Sequence, residues 1–241
     1  MMLDDILTMM WKERKGLFRY KGSRSRMVMV LLSPVIFAVV FPWQWGPDWL
    51  SEIPSLFIAV IVSVILIAIM IPESFAGERE RHTLETLLAS RLPDRAILFG
   101  KLVVPIAVGW GVSLLTVGLG MVTVNVAHWS GEFRFLTLPI ALGSAALSLL
   151  MAVLTAGAGV FISLRAETAQ QATQTLTAII LVPPMLLQIV PFLFQDQMKQ
   201  LIDAINGPQL LVIVLAVLAV LDLLIMVAVV ARFRRSRLCL S

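Results

Sequence analysis

The stretch Glu73–Lys101, ESFAGERERHTLETLLASRLPDRAILFGK, decides how the rest of this chain is read. It is a charged interruption in an apolar sequence, and its charges cancel: Glu73, Glu78, Glu80, Glu85 and Asp94 stand against Arg79, Arg81, Arg91, Arg95 and Lys101. With no net charge, the stretch exerts no long-range pull on a partner. Leu84, Leu87 and Leu88 recur at helical spacing, while Glu78/His82 and Arg81/Glu85 stand four apart, as neighbours on a helix surface do. The pattern describes a short amphipathic helix that ends at Pro93. Two roles are open to such a helix: lying on a membrane with its leucines among the headgroups, or docking a second protein.

Composition decides the surroundings. Hydrophobic residues make up 59% of the chain and charged residues 14%, against about 25% charged in soluble domains. A water-soluble core cannot absorb that excess, so the chain reads as a polytopic membrane protein. Its one cysteine, Cys239, supports neither a disulfide framework nor a metal cluster, and His128 has no histidine or cysteine nearby to share a metal. The net charge of +4 comes from bases that flank apolar spans, which is a signature of topology and not of nucleic-acid binding. Leu3 to Tyr20 carries charges through its middle and does not read as a signal peptide.

Working outward, hydropathy divides the chain into six expected spans, about 27–43, 53–71, 102–126, 136–164, 172–194 and 209–230, within one domain covering 1–241. Ahead of them, residues 1–20 place Leu3, Ile6, Leu7, Met10 and Trp11 along one helical face and Lys12, Glu13 and Lys15 largely on the other, an interfacial amphipathic helix. In this arrangement every Lys and Arg except Arg134 and Lys199 falls on one side. The expectation is therefore an all-α polytopic protein of a plasma or bacterial inner membrane, with six transmembrane helices, both termini cytoplasmic, and a cytoplasmic helix between spans two and three.

Inside the spans, Gly109, Gly111, Gly118 and Gly120 form a row, and Ser144, Ser148, Ala152 and Ala156 recur every four residues; both patterns suit close helix packing. Span five carries Gln174, then Pro183 and Pro184, then Gln188. Carbonyls freed by prolines at such a depth face protein or a water-lined cavity, so span five is either a lining of the transport path or a kinked structural helix. Asp222 is the one carboxylate inside any expected span. Intramembrane acids are functional candidates by default, and both a gating role and a packing role are open to it.

The residues Glu78, Glu80, Thr83, Leu84, Glu85, Leu87, Leu88, Pro93, Arg95, Ile97, Gly100 and Lys101, in that order and between two apolar spans, resemble the signature of the ABC-2 type permeases, the membrane subunits of ATP-binding-cassette exporters. The overall plan extends the resemblance over nearly the whole chain. It implies a permease subunit that pairs with a separate ABC ATPase subunit, which carries ATP and Mg, and with a second permease subunit as a homo- or heterodimer in the lipid bilayer. On that reading Glu78, Arg81, Leu84, Glu85 and Leu88 form the ATPase-coupling helix, Arg95 and Lys101 secure it to the inner headgroups, and Gln174, Pro183, Pro184, Gln188 and Asp222 are transport-path candidates. No Gly-x-x-x-x-Gly-Lys-Ser/Thr loop and no HExxH or paired-carboxylate motif occurs, so the chain itself does not read as an enzyme. Two alternatives share the same features: a CcmB-like subunit for haem or cytochrome-maturation traffic, of similar length and with a comparable glutamate-rich loop, and a non-transporting membrane scaffold.

Overall fold

The computed structural model describes residues 2–19, 24–83, 92–187 and 207–233. These form helices α1 (Met2–Arg19), α2 (Arg24–Trp45), a single-turn α3 (Asp48–Ser51), α4 (Ile53–Glu80), α5 (Asp94–Ala127), α6 (Leu138–Ser163), α7 (Ala169–Leu187) and α8 (Gly207–Arg232). Helix α4 is the axis of the bundle, with α5, α6 and α7 packed around it; α1 and α2 lie on α5, and α8 lies along α6.

Four described helices are long and apolar enough to cross a membrane: Ile53–Glu80, Asp94–Ala127, Leu138–Ser163 and Gln209–Arg232. The six-span expectation is corrected to these four. Expected span one falls in α2, of which Leu32–Trp45 is the apolar part among the residues whose side chains are described. Expected span five falls in α7 as far as Leu187, its remainder 188–194 lying outside the described residues, and α7 opens on the polar run Gln170, Gln171, Thr173, Gln174, Thr175.

The boundaries around the charged stretch also move. Expected span two stops at residue 71, yet Pro72 sits inside α4, which continues to Glu80. A proline removes one helical hydrogen bond, but Ile71, Phe75, Ala76 and Gly77 are buried on either side of it, and that packing holds the helix together. At 28 residues α4 is about 42 Å long, so its final turns project beyond a hydrocarbon core of about 30 Å. Glu73, Glu78 and Glu80 therefore belong to the end of a long helix and not to a separate one. His82, just past it, has φ 56°. The amphipathic segment expected beyond lies largely in 84–91, outside the described residues, as do Leu84, Glu85 and Leu88.

Close contacts explain the small residues. A Cβ on Gly109 would stand 2.7 Å from Ile67, and one on Gly120 would stand 2.7 Å from the Trp49 ring; Gly111 and Gly118 face open space, so half of the glycine row is a packing surface. On α6, Ser144, Ser148, Ala152 and Ala156 are all buried, and Gly157 meets Ile225 of α8. Polar side chains within the bundle bond across helices: Ser113 donates to the Ala59 carbonyl (2.6 Å), Ser63 to the Ser148 carbonyl (3.1 Å) and Trp110 Nε1 to the Ala145 carbonyl (2.9 Å). These bonds tie α4, α5 and α6 together where apolar burial alone gives no preference for protein over lipid.

The two ends of the bundle differ. At one, His128 Nε2 lies 2.9 Å from the Trp43 carbonyl, Asn125 bonds both ways with the Arg134 backbone at 2.8 Å, and Trp45 stacks on Trp49. His128 is thus a loop clamp beside the tryptophans. At the other end, Phe75 of α4 meets Phe233 edge-on, 6.1 Å apart, and α1 is docked, so the first and last described segments share this charged end.

Candidate coupling site at the charged end

Three helices place their charges in contact. The last turns of α4 carry Glu73, Ser74, Glu78, Arg79, Glu80 and Arg81; α5 carries Lys101 two turns in; α1 carries Lys12 and Glu13. The α1 helix reaches this position because Met9 is buried over Gly100, where a Cβ would stand 2.3 Å from the Met9 Cβ. Glu13, one turn after Met9, then falls beside Lys101, one residue after Gly100.

Lys101 is fully buried, with 0% exposure. Its Nζ donates to Glu13 Oε1 (3.0 Å), to the Ser74 carbonyl (2.7 Å) and to Ser74 Oγ (3.2 Å), and it lies 2.9 Å from Glu78 Oε2 as an ion pair. Ser74 Oγ donates in turn to Glu13 Oε2 (3.0 Å), and Lys12 Nζ binds Glu78 Oε1 (2.9 Å). The ammonium also stands 5.4 Å from the Phe75 ring. Two lysines and two glutamates thus neutralise one another where α1, α4 and α5 meet. A buried charge is tolerated only when paired and hydrogen-bonded in this way. The expectation that Lys101 anchors to headgroups is corrected: it lies inside α5, which begins at Asp94 and not at residue 102.

A second set of contacts joins the end of α4 to the turn between α6 and α7. Arg79 donates from Nη1 to the Leu164 carbonyl (2.9 Å) and from Nη2 to the Ala166 carbonyl, and Glu80 Oε2 accepts from the Ala169 amide (3.2 Å). That carboxylate therefore satisfies one of the orphan amides in the first turn of α7, where negative charge is favoured. Thr168 Oγ1 accepts from the Gln171 amide (3.2 Å) and Gln171 Oε1 from the Glu167 amide (3.1 Å), which completes the helix start. Arg81 pairs back to Glu73 across two turns of α4. In place of the expected partner His82, Glu78 pairs with Lys12 and Lys101, because α4 turns it toward α1 and α5; the expected pair of Arg81 with Glu85 lies outside the described residues. A cavity of about 230 Å³ opens beside the network, walled by Glu13, Glu73, Ser74 and Arg81 and floored by Ile69 and Met70.

Of the coupling residues read from sequence, Glu78 and Arg81 fall in this site; Leu84, Glu85 and Leu88 lie outside the described residues. The transport-path candidates are not gathered with them. Gln174 is exposed on α7, the helix runs through Pro183 and Pro184, and Gln188 lies outside the described residues. Asp222 is 6% exposed on α8, and neither carboxylate oxygen has a hydrogen-bond partner among the described residues. Sequence reasoning missed Lys12, Glu13, Ser74, Arg79 and Lys101 as a network. One signal pointed there: Glu13 is the only acid between Lys12 and Arg26, a stretch otherwise rich in Lys and Arg.

The sequence matches the family described as ABC-2 type transporter over residues 4–190. Comparison with curated proteins and with solved structures gave no match. The matched range holds all but the first two residues of α1, the whole of α2 through α7, and every residue of the ion-pair network. In this family the membrane subunit is not catalytic and ATP is hydrolysed on a partner. The chain belongs to the ABC-2 type transporter family and is a multi-pass membrane permease subunit of an ATP-binding-cassette transporter.

Proposed function

We propose that the charged end faces the cytoplasm of a plasma or bacterial inner membrane and receives an ABC ATPase subunit carrying ATP and Mg, and that two permease subunits assemble around an export path. The observation that carries this reading is the buried Lys101 network. It joins α1, α4 and α5, while Arg79 and Glu80 join the same end of α4 to the α6–α7 turn. A push on the segment that follows Glu80 is thereby delivered to five helices at once. Glu78 and Arg81 hold the base of that segment, and Leu84, Glu85 and Leu88 meet the ATPase. Since the stretch has no net charge, the ATPase is gripped by shape and local pairs and not by long-range attraction.

The path itself is assigned to the face of α7 that carries Gln174, with Pro183, Pro184, Gln188 and Asp222 as its further candidates. The polar opening of α7 supports this, because a helix rich in Gln and Thr is better placed against protein or water than against lipid. Affinity purification of the tagged chain from its native membranes tests the docking. Wild type should retain a nucleotide-binding ATPase, and Glu85→Lys and Leu88→Asp should each lose it, since reversing a charge in a desolvated contact costs roughly 2 to 5 kcal/mol. Retention of the ATPase by both variants moves the docking site elsewhere.

A further inference from the structure

Helix α8 is held to the bundle by one seam. Among the described residues it packs against α6, and it is the least buried of the four long helices. Ile225 drops into the notch at Gly157, where a Cβ would overlap its side chain, and Leu211 lies over Gly143. These two contacts are equally spaced on the two helices, so α6 and α8 run parallel and in register, and Asp222 stands level with Leu154. Leu221, Leu223 and Leu224 are exposed around it, yet Asp222 is 6% exposed. Its carboxyl is therefore turned into the seam.

The seam offers nothing that a carboxylate needs. Both oxygens of Asp222 are buried and neither has a hydrogen-bond partner among the described residues. Helix α6 carries no charged residue from Leu138 to Ser163; α4 has none from Ile53 to Pro72, α5 none from Leu102 to Ala127, and α8 no other before Arg232. The charges that face α8 are Asp94 and Arg95, on the first turn of α5, across a groove from its last turns. Over residues 150–157 of α6 the one polar side chain is Thr155, whose hydroxyl donates to its own Met151 carbonyl (2.6 Å). A hydroxyl that has spent its proton on its own helix can only accept. A carboxylate here would be unpaired and unsolvated, whereas a neutral acid brings its own donor to a helix that has acceptors.

We propose that Asp222 is an intramembrane proton-binding site that latches α8 to α6. The seam closes on the neutral acid; when the O–H bond breaks, the proton passes to water admitted as α8 lifts, and the same water hydrates the carboxylate left behind. This gives a role to one of the path candidates and rests on the permease reading for its use in transport. It does not rest on ATPase docking, so it is read on the permease chain alone. The chain, with Cys239→Ser so that only introduced cysteines carry labels, is placed in lipid nanodiscs and compared with its Asp222→Asn variant from about pH 5 to about pH 10, a range that brackets documented buried carboxyls. Infrared difference spectra of wild type against the variant should show the carbonyl stretch of a protonated carboxyl at the acid end and its loss at the alkaline end. Spin labels at Leu142 and Val212, exposed positions beside the Gly143–Leu211 contact, should move apart over the same range in wild type, with the same midpoint as the loss of the band. In Asp222→Asn, where the side chain stays neutral, they should keep their acid distance. No protonated band at any pH, or one that persists to the alkaline end, overturns the proton site. A band lost with the label distance unchanged, or an equal separation in Asp222→Asn, overturns the latch.

Discussion

Lys101→Met is the sharpest perturbation of the charged end, because it removes the cation and keeps most of the side-chain volume. In the wild type the ammonium serves Glu13, the Ser74 carbonyl and hydroxyl, and Glu78 at distances of 2.7 to 3.2 Å. Its loss leaves Glu13 with the Ser74 hydroxyl and Glu78 with Lys12. Removing one partner of a buried pair costs about 3 to 5 kcal/mol. Glu13 and Glu78 retain 12% and 14% side-chain exposure, so some water reaches the stranded carboxylates and the lower end, about 3 kcal/mol, applies. For a chain of this size that is a fall of about 6 to 12 °C in the unfolding midpoint. The assay is thermal unfolding of the purified chain in one detergent. The double variant Lys101→Met/Glu13→Gln removes one stranded charge and should recover part of the loss, a coupling read directly from the four-corner cycle. A midpoint within about 2 °C of wild type for Lys101→Met, or no recovery in the double variant, refutes the view that the network holds α1 to the bundle.

Three further outcomes follow from the same structure. Gly100→Leu should drive Met9 and α1 off α5, lowering the midpoint by an overpacking cost of about 1 to 3 kcal/mol, and Met9→Ala should restore part of it; independent effects of the two changes count against the notch. Cysteines at Ser51 and Ser130, both at the end opposite Lys101, should react with an impermeant thiol reagent applied to intact cells while one at Glu167 should not, and the reverse pattern inverts the proposed orientation. Asp222→Asn keeps the shape of a carboxyl with no hydrogen-bond partner for either oxygen among the described residues, so it should fold at least as well as wild type; a large loss of stability by thermal unfolding shows instead that the carboxylate is held by a cation.

The membrane class, the family and the last two long helices were legible in the sequence, because hydropathy reports apolar surface whether or not a helix is packed. Expected spans four and six, 136–164 and 209–230, nearly coincide with α6 and α8. At α7 hydropathy weighs an average and does not see that the helix spends its first turns on glutamine and threonine. It failed at Pro72 for a different reason: a proline in sequence marks a free carbonyl, but only tertiary packing decides whether the helix stops. The site was half legible. Glu78 and Arg81 were visible as charges in a motif, and a local pair of Glu78 with His82 was the natural reading, yet a buried lysine reaches across 88 residues to Glu13, and no local rule reports a partner that distant. Its companion signal, Met9 over Gly100, is a contact between a flexible side chain and a missing one, which becomes visible only when the helices are placed together.

The ATPase is proposed to bear on the charged segment after α4. Photo-cross-linking in native membranes addresses it most directly, with a benzophenone amino acid placed in turn at Thr83, Leu88 and Ser130. Thr83, exposed three residues past the end of α4, and Leu88 should each cross-link to a nucleotide-binding ATPase, and Ser130, at the opposite end, should not. Cross-linking of the ATPase through another surface, with neither Thr83 nor Leu88 captured, contradicts the account.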